Sequence, residues 1–250
     1  MGIKDWFGGN KKKDQYHQRL KEAVADGKID AKEVAELEQL RDSLDVEDIS
    51  DDKTQLRRDV YNQAVGAVKA TGKLTSVEAA ELARIQKFLA LRDDQVDITR
   101  RDLVRLRLLT DIRSGKLPII AAGSAALRGL VLEADEIAHY ALAAELFDQM
   151  GGDNNSGWRF ALPYKPGIDS GDVPVGGANA VAEGHVIVTN QRLIFRGAKH
   201  SYAFKFSKAT EMYLYDNGIR LPKKLGNTIL RAKSPESLKV AAELIATVMS

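Results

Sequence analysis

Three acids around one glycine, Asp26-Gly27 followed by Asp30 and Glu33, are the residues of this chain whose types and spacing come closest to a metal site. Carboxylates grouped about a turn suit a hard divalent cation, and a glycine allows the sharp bend of a calcium loop. The full loop pattern is not met. If Gly27 takes the invariant glycine position, the first two ligand positions fall on Glu22 and Val24, and Val24 carries no ligand atom. The same residues have a plainer use. Asp30 is placed as an N-cap acceptor, and Glu33, three residues on, completes a capping box at the start of a helix.

Other constellations are weaker. The absence of cysteine excludes thiolate nucleophiles, disulfides and Cys-ligated zinc. His17, His139, His185 and His200 are scattered, with no metal-ligand spacing beside an acid. His185 lies next to a predicted strand and His200 in a predicted turn beside Lys199, where an anion contact is conceivable. Ser124 and Ser170 lack a glycine elbow, and no phosphate-cradling Gly-x-x-x-x-Gly-Lys-Ser/Thr loop exists. No catalytic residue, cofactor or small-molecule substrate is nominated, and the chain reads as non-enzymatic.

The elements that must position these groups begin with a repeat. Asp26-Gly27-Lys28-Ile29-Asp30 and Thr71-Gly72-Lys73-Leu74-Thr75 lie 45 residues apart, and each runs into a helix containing Ala-Glu-Leu. Apolar spacing predicts helices over 14–25, 31–44, 53–70, 76–91 and 99–113, with N-caps at Asp30, Thr75 and Thr99 and glycine stops at Gly27 and Gly72. The pattern then changes. Short strands are predicted over 136–142, 158–162, 186–189, 193–195, 202–206, 212–215, 219–221 and 228–231, joined by turn residues such as Asn190-Gln191 and Asp216-Asn217-Gly218. Loops are expected over 151–157 and 167–177. A last helix is announced by Ser234 and Pro235, with Leu238, Ala241, Ala242, Ile245 and Val248 as its apolar stripe.

Charge is nearly balanced, 37 basic residues against 35 acidic, which argues against a dedicated nucleic-acid binder. It is not uniform. The first 13 residues form an arm with Trp6 and Phe7 on one side and Lys11, Lys12 and Lys13 beyond a Gly-Gly pair, a composition able to touch a membrane surface or a partner. Arg100, Arg101, Arg105, Arg107 and Arg113 share a predicted helix, and acids gather over 42–52. Basic residues outnumber acids toward the C-terminus. Arg196, Lys199, His200, Lys223 and Lys224 are the candidates there for an anion or an acidic partner. No apolar run approaches the roughly 20 residues of a membrane-spanning helix, and a cytoplasmic location is expected.

Two resemblances attach to these residues. The Asp-Gly-Lys-Ile-Asp-x-x-Glu pattern and its second copy, over roughly 14–95, resemble TerB-like tellurite-resistance domains. That resemblance implies an all-helical, cytoplasmic stress-response scaffold with metal held by acids near the Asp-Gly turn, here Asp26, Asp30 and Glu33. The second copy departs by replacing the acids with threonines. The stretch Gly184-His185-Val186-Ile187-Val188-Thr189-Asn190-Gln191-Arg192-Leu193-Ile194-Phe195, with Tyr215-Asp216-Asn217-Gly218-Ile219 after it, resembles bacterial pleckstrin-homology-like and GRAM-like domains from about Leu130 onward. This implies a small barrel that binds lipids or proteins and does not catalyse. A closely spaced basic and aromatic cluster of phosphoinositide type is missing from the first hairpin.

The expectation is therefore an α+β multidomain chain: an arm over 1–13, a TerB-like helical repeat domain over 14–115, a linker over 116–129, and a pleckstrin-homology-like barrel over 130–250 closed by a C-terminal helix. Its expected role is a non-catalytic adaptor that recruits protein partners, with peripheral contact at the inner face of the membrane. The alternative is a divalent-metal-responsive sensor built on Asp26, Asp30 and Glu33.

Overall fold

The computed structural model describes residues 14–43, 52–149, 158–159, 171–175, 179–208, 212–223 and 226–249. The expected arm, the acidic run beyond Ser43, the 151–157 loop and most of the 167–177 loop lie outside the described residues. The chain divides into two compact units, Met1–Thr110 and Asp111–Ser250.

The first unit is helical. Its elements are α1 over 14–23, α2 (Ala31–Ser43), α3 (Asp52–Ala70), α4 (Ser76–Phe88) and α5 (Asp97–Arg113), whose end passes into the second unit. The turn before α2 and the turn before α4 are wired alike. Gly27 and Gly72 take φ of +80° and +68°, and their N–H groups bond the carbonyls of Val24 and Lys69, each at 3.0 Å. Asp30 and Glu33 then exchange backbone-to-carboxylate bonds of 2.8 Å in both directions. Thr75 N–H likewise donates to the Glu78 carboxylate at 2.7 Å, and Glu78 N–H to the Thr75 hydroxyl at 3.2 Å. Ile29 and Leu74, one residue before each N-cap, are buried where a hydrophobic staple requires them. They join a core with Val24, Leu37, Val60, Ala64, Val65, Leu82 and Ile85.

One helix starts elsewhere than expected. α5 begins at Asp97, directly after a 3-10 turn over Asp93–Val96 that is closed by Arg92 N–H bonding Gln95 Oε1 at 2.9 Å. Thr99 is thus already helical, so it cannot act as the N-cap. Its hydroxyl donates to Asn62 Oδ1 at 2.9 Å, and Asp102 takes Lys69 Nζ at 2.7 Å.

The second unit is an antiparallel sheet followed by a helix. The strands are β1 (Ala138–Gln149), β2 (Trp158–Arg159), β3 (Ala182–Thr189), β4 (Arg192–Gly197), β5 (Ser201–Lys205), β6 (Tyr213–Leu214), β7 (Gly218–Lys223) and β8 (Gly226–Ala232). Their order is β2-β6-β7-β8-β1-β3-β4-β5. The sheet curls because β1 serves two sets of partners: it pairs with β3 over Ala138–Leu146 and with β8 over Ala144–Gln149. β1 extends seven residues past the expected end at Leu142. Helix α6 (Pro235–Val248) packs on β1, β3 and β8. Ser234 Oγ accepts from Ser237 N–H at 3.2 Å, and Pro235 opens the helix. Its burial is broader than a stripe, taking in Val240 and Leu244 besides Leu238, Ala241, Ala242 and Ile245.

The stretch expected as a linker lies against this sheet. Ile120 N–H bonds Ala138 O at 2.8 Å, and Ile120, Leu127, Leu130 and Leu132 pack with Ala138, Ala141, Ile187 and Ile194. Ile187 and Ile194 alternate with Val186, Val188, Leu193 and Phe195, so the two sets occupy opposite faces, and both are buried. Among the described residues no helix is long and apolar enough to cross a membrane.

Candidate functional site

The three acids of the Asp26-Gly27 turn are absorbed in backbone work. Asp26 Oδ1 accepts from Lys28 N–H at 3.0 Å, and Asp30 and Glu33 are committed to their reciprocal cap. Among the described residues no group of three or more His, Asp or Glu side chains is arranged to hold a metal ion. Three of the five arginines in the basic stretch of α5 are matched locally, and Arg113 pairs with Glu243 of α6 at 3.0 Å. Arg100 pairs with Asp93 at 2.5 Å, Arg101 with Asp97 at 2.6 Å and Arg105 with Asp102 at 3.5 Å. Exposed pairs of this kind contribute little energy, but they offset the charge of these three arginines.

The Thr189-Asn190-Gln191-Arg192 turn between β3 and β4 is a dense polar knot in the second unit. Arg192 grips Glu136 with Nε and Nη2, both at 2.8 Å, and reaches the Val131 carbonyl at 3.2 Å. Thr189 Oγ1 donates to Glu136 Oε1 at 2.8 Å, and Glu133 N–H donates to Oε2 at 2.8 Å. Asn190 accepts from Ile137 N–H and donates to the Asp135 carbonyl, while Gln191 donates to Ala134 O. Glu133 completes the circle by pairing with Lys205 at 2.7 Å. The Glu136 side chain is 0% exposed and that of Arg192 13%. Burial alone would push the Glu136 carboxyl up, yet the hydrogen bonds from Arg192, Glu133 N–H and Thr189 outweigh it and hold the group below the usual carboxylate range. The bond to Glu136 likewise raises Arg192 against its own burial. This motif fastens the 131–137 segment to the hairpin, and the Glu136 carboxylate takes four hydrogen bonds from the protein itself.

A different set of charges remains uncommitted. A surface cavity of about 380 Å³ is lined by Ala125, Ala126, Arg128, His185, Arg196 and Gly197. His185 on β3 stands directly opposite Arg196 on β4, and Ala143 of β1 flanks His185 on the other side. Alternation puts both side chains on the face of Ile187 and Ile194, where the 120–132 segment packs. That segment supplies Arg128 through a short 3-10 turn, Ala125–Leu127. Gly129, at φ +70°, lies beside the Arg196 guanidinium, for a Cβ there would meet Nη2 at 3.2 Å. Among the described residues no acid lines this cavity. Among the described residues Arg128 and Arg196 form no ion pair, whereas Arg231, Lys233 and Lys239 are paired with Glu145, Glu183 and Glu236.

Of the expected anion contacts, then, Arg196 reaches the cavity. Lys199 and His200 are exposed in the β4–β5 turn and do not line it, and Lys223 closes β7 through backbone pairing with Gly226. Lys224, like Trp6, Phe7, Lys11, Lys12 and Lys13, lies outside the described residues. Arg128 escapes sequence reading because it belongs to a stretch with no strand or long-helix period, and only the packing of Leu127 beneath it brings it to β3 and β4. No protein-family model matches this chain and no curated protein matches it significantly, so its chemistry has to be read from its own residues.

Proposed function

We propose that this chain is a non-catalytic cytoplasmic adaptor, in which a TerB-like helical module and a pleckstrin-homology-like module recruit partner proteins at the inner face of a membrane as part of a stress response. The observation that carries the reading is the strand order. With the two-residue β2 set aside, the sheet runs β6-β7-β8-β1-β3-β4-β5, a seven-stranded antiparallel meander folded about one long first strand and followed by a single amphipathic helix. That is the arrangement expected of a pleckstrin-homology-like barrel, a scaffold that presents loops and strand edges to ligands. A second support is the fate of the strongest polar groups. Asp30, Glu33, Glu136, Thr189 and Arg192 are all engaged in holding backbone, which is the behaviour of a framework. The division into two compact units suits a protein that brings two bodies together.

The test is sedimentation of the full chain, and of a chain lacking residues 1–13, with anionic and with neutral vesicles at low and high salt. Salt-sensitive binding to anionic vesicles alone supports recruitment to a membrane, and its loss on truncation assigns it to Trp6, Phe7 and the lysines of the arm. Equal sedimentation with neutral vesicles, or none with either, overturns the membrane part of the proposal.

A further inference from the structure

The geometry points to the Arg128/His185/Arg196 cavity as a binding site for a compact dianion, a phosphomonoester group. Like charges repel, so two arginines, Arg128 and Arg196, gathered beside the His185 ring are an arrangement that a sheet gains nothing from by itself. The chain nonetheless builds it from three separated segments. Arg192, Lys205, Arg231 and Lys233 have carboxylates within reach, and among the described residues Arg128 and Arg196 do not. An anion entering the cavity would supply the missing counter-charge.

The shape favours a small group with several oxygens. Ala125, Ala126 and Gly197 add no bulk, and about 380 Å³ lies within the range of small-molecule clefts, roughly 300–1,000 Å³. Two guanidinium forks present planar donor pairs suited to phosphate oxygens, and the imidazole adds a further ring nitrogen. A phosphomonoester is close to doubly charged at neutral pH and offers three terminal oxygens, enough for the two guanidinium groups and the imidazole together. A diester has only two such oxygens and a single charge. The site belongs entirely to the second unit, so it stands whether or not the adaptor reading holds.

The experiment is a backbone-amide NMR titration of the full chain with glycerol 3-phosphate, with chloride at matched ionic strength as the control. A parallel arm uses bicelles carrying phosphatidic acid, and another uses bicelles carrying phosphatidylglycerol, whose phosphate is a diester. The expected result is a saturable response confined to residues 125–129, 184–186 and 195–197, weakened about tenfold in Arg128→Gln and again in Arg196→Gln. Saturation by glycerol 3-phosphate marks a soluble ligand. Saturation by phosphatidic acid alone marks the same group on a lipid, and either result supports the site. Arg128 is exposed, so its replacement leaves the fold intact and keeps the comparison valid if Arg196→Gln disturbs β4. Shifts spread over the surface lysines, a response that chloride or the diester reproduces, or affinity unchanged in Arg128→Gln would overturn the proposal. Failure of vesicle sedimentation leaves the soluble arm of this test untouched.

Discussion

Replacing Arg192 by methionine tests whether the turn between β3 and β4 is held by a buried charge pair. The change keeps the apolar stem and removes the guanidinium. Glu136, with no exposed side-chain surface, keeps only the Thr189 hydroxyl and the Glu133 N–H. Its carboxylate then has two ways out. It stays charged and unpaired, at a cost of about 3–5 kcal/mol, or it takes up a proton. Protonation costs about 1.36 kcal/mol for each pH unit above the ordinary glutamate value near 4.3, which is about 3.7 kcal/mol at pH 7 and about 1 kcal/mol at pH 5. The cheaper route sets the penalty. Removing Arg192 reverses the direction of the Glu136 shift: a folded-state pKa now raised above the unfolded one destabilises at neutral pH, and the loss is recovered as pH falls. In the unaltered protein the pKa is lowered, so Glu136 stabilises above the usual carboxylate range and that contribution is lost only in acid. Native-state hydrogen exchange of the β3 and β4 amides, at pH 7 and pH 5, reads both numbers. A loss below about 1 kcal/mol at pH 7, or the same loss at both values, would refute the reasoning, because neither is compatible with a desolvated carboxylate stripped of its partner.

Two further tests address the helical unit. Gly27→Ala and Gly72→Ala impose the same left-handed backbone on a side chain, at about 1–2 kcal/mol, but only Gly27 is also crowded, with Val68 Cγ2 at 3.0 Å and the Ala64 carbonyl at 3.1 Å from the new Cβ. Gly27→Ala is therefore expected to cost about 1–3 kcal/mol more than Gly72→Ala in urea unfolding of the full chain, and equal losses would show that backbone conformation alone decides. Thr75→Ala removes the hydroxyl that accepts from Glu78 N–H and donates to its carboxylate, and should lower the exchange protection of the α4 amides by about 1 kcal/mol. The bonds from Thr75 also hold the Glu78 carboxyl below its usual range, so the capping box contributes above that range and fades as pH falls; a Thr75→Ala penalty that persists unchanged in strong acid would contradict it.

Helix limits in the first unit were legible because polar caps and glycines mark them in the chain itself, and the starts of α2 and α4 fall where Asp30 and Thr75 announce them. Thr99 misleads for a reason outside any local pattern: the preceding 3-10 turn delivers the chain to Asp97 already in helical conformation. The second half of β1 shows the limit more sharply. Ala144-Glu145-Leu146 repeats the tripeptide found in α2, α4 and α6, and here it is a strand. Alanine, glutamate and leucine favour helix, but β3 and β8 offer hydrogen bonds on both edges of this segment, and partners distant in sequence override the propensity. The cavity follows the same logic. Arg196 stands out by charge, whereas its association with Arg128 and His185 depends on strand register and on the packing of Leu127, neither of which is written locally.

The double duty of β1 also fixes the order in which the second unit can be completed during synthesis. Its leading half finds β3 within about fifty residues, so that ladder is available early. Its trailing half pairs with residues 78 to 88 positions downstream, and α6 must still follow before the far side of the sheet is covered. A ribosome adding roughly 5–20 residues per second leaves the edge of Ala144–Gln149 bare for several seconds, while the locally wired helical unit is already closing. Unpaired strand edges recruit other strands, and the apolar residues Leu146 and Phe147 lie in that waiting segment. The nascent chain is thus most exposed to misassembly after the helices of its first unit are finished and before β8 has emerged, an interval in which a holding chaperone would have the most to protect.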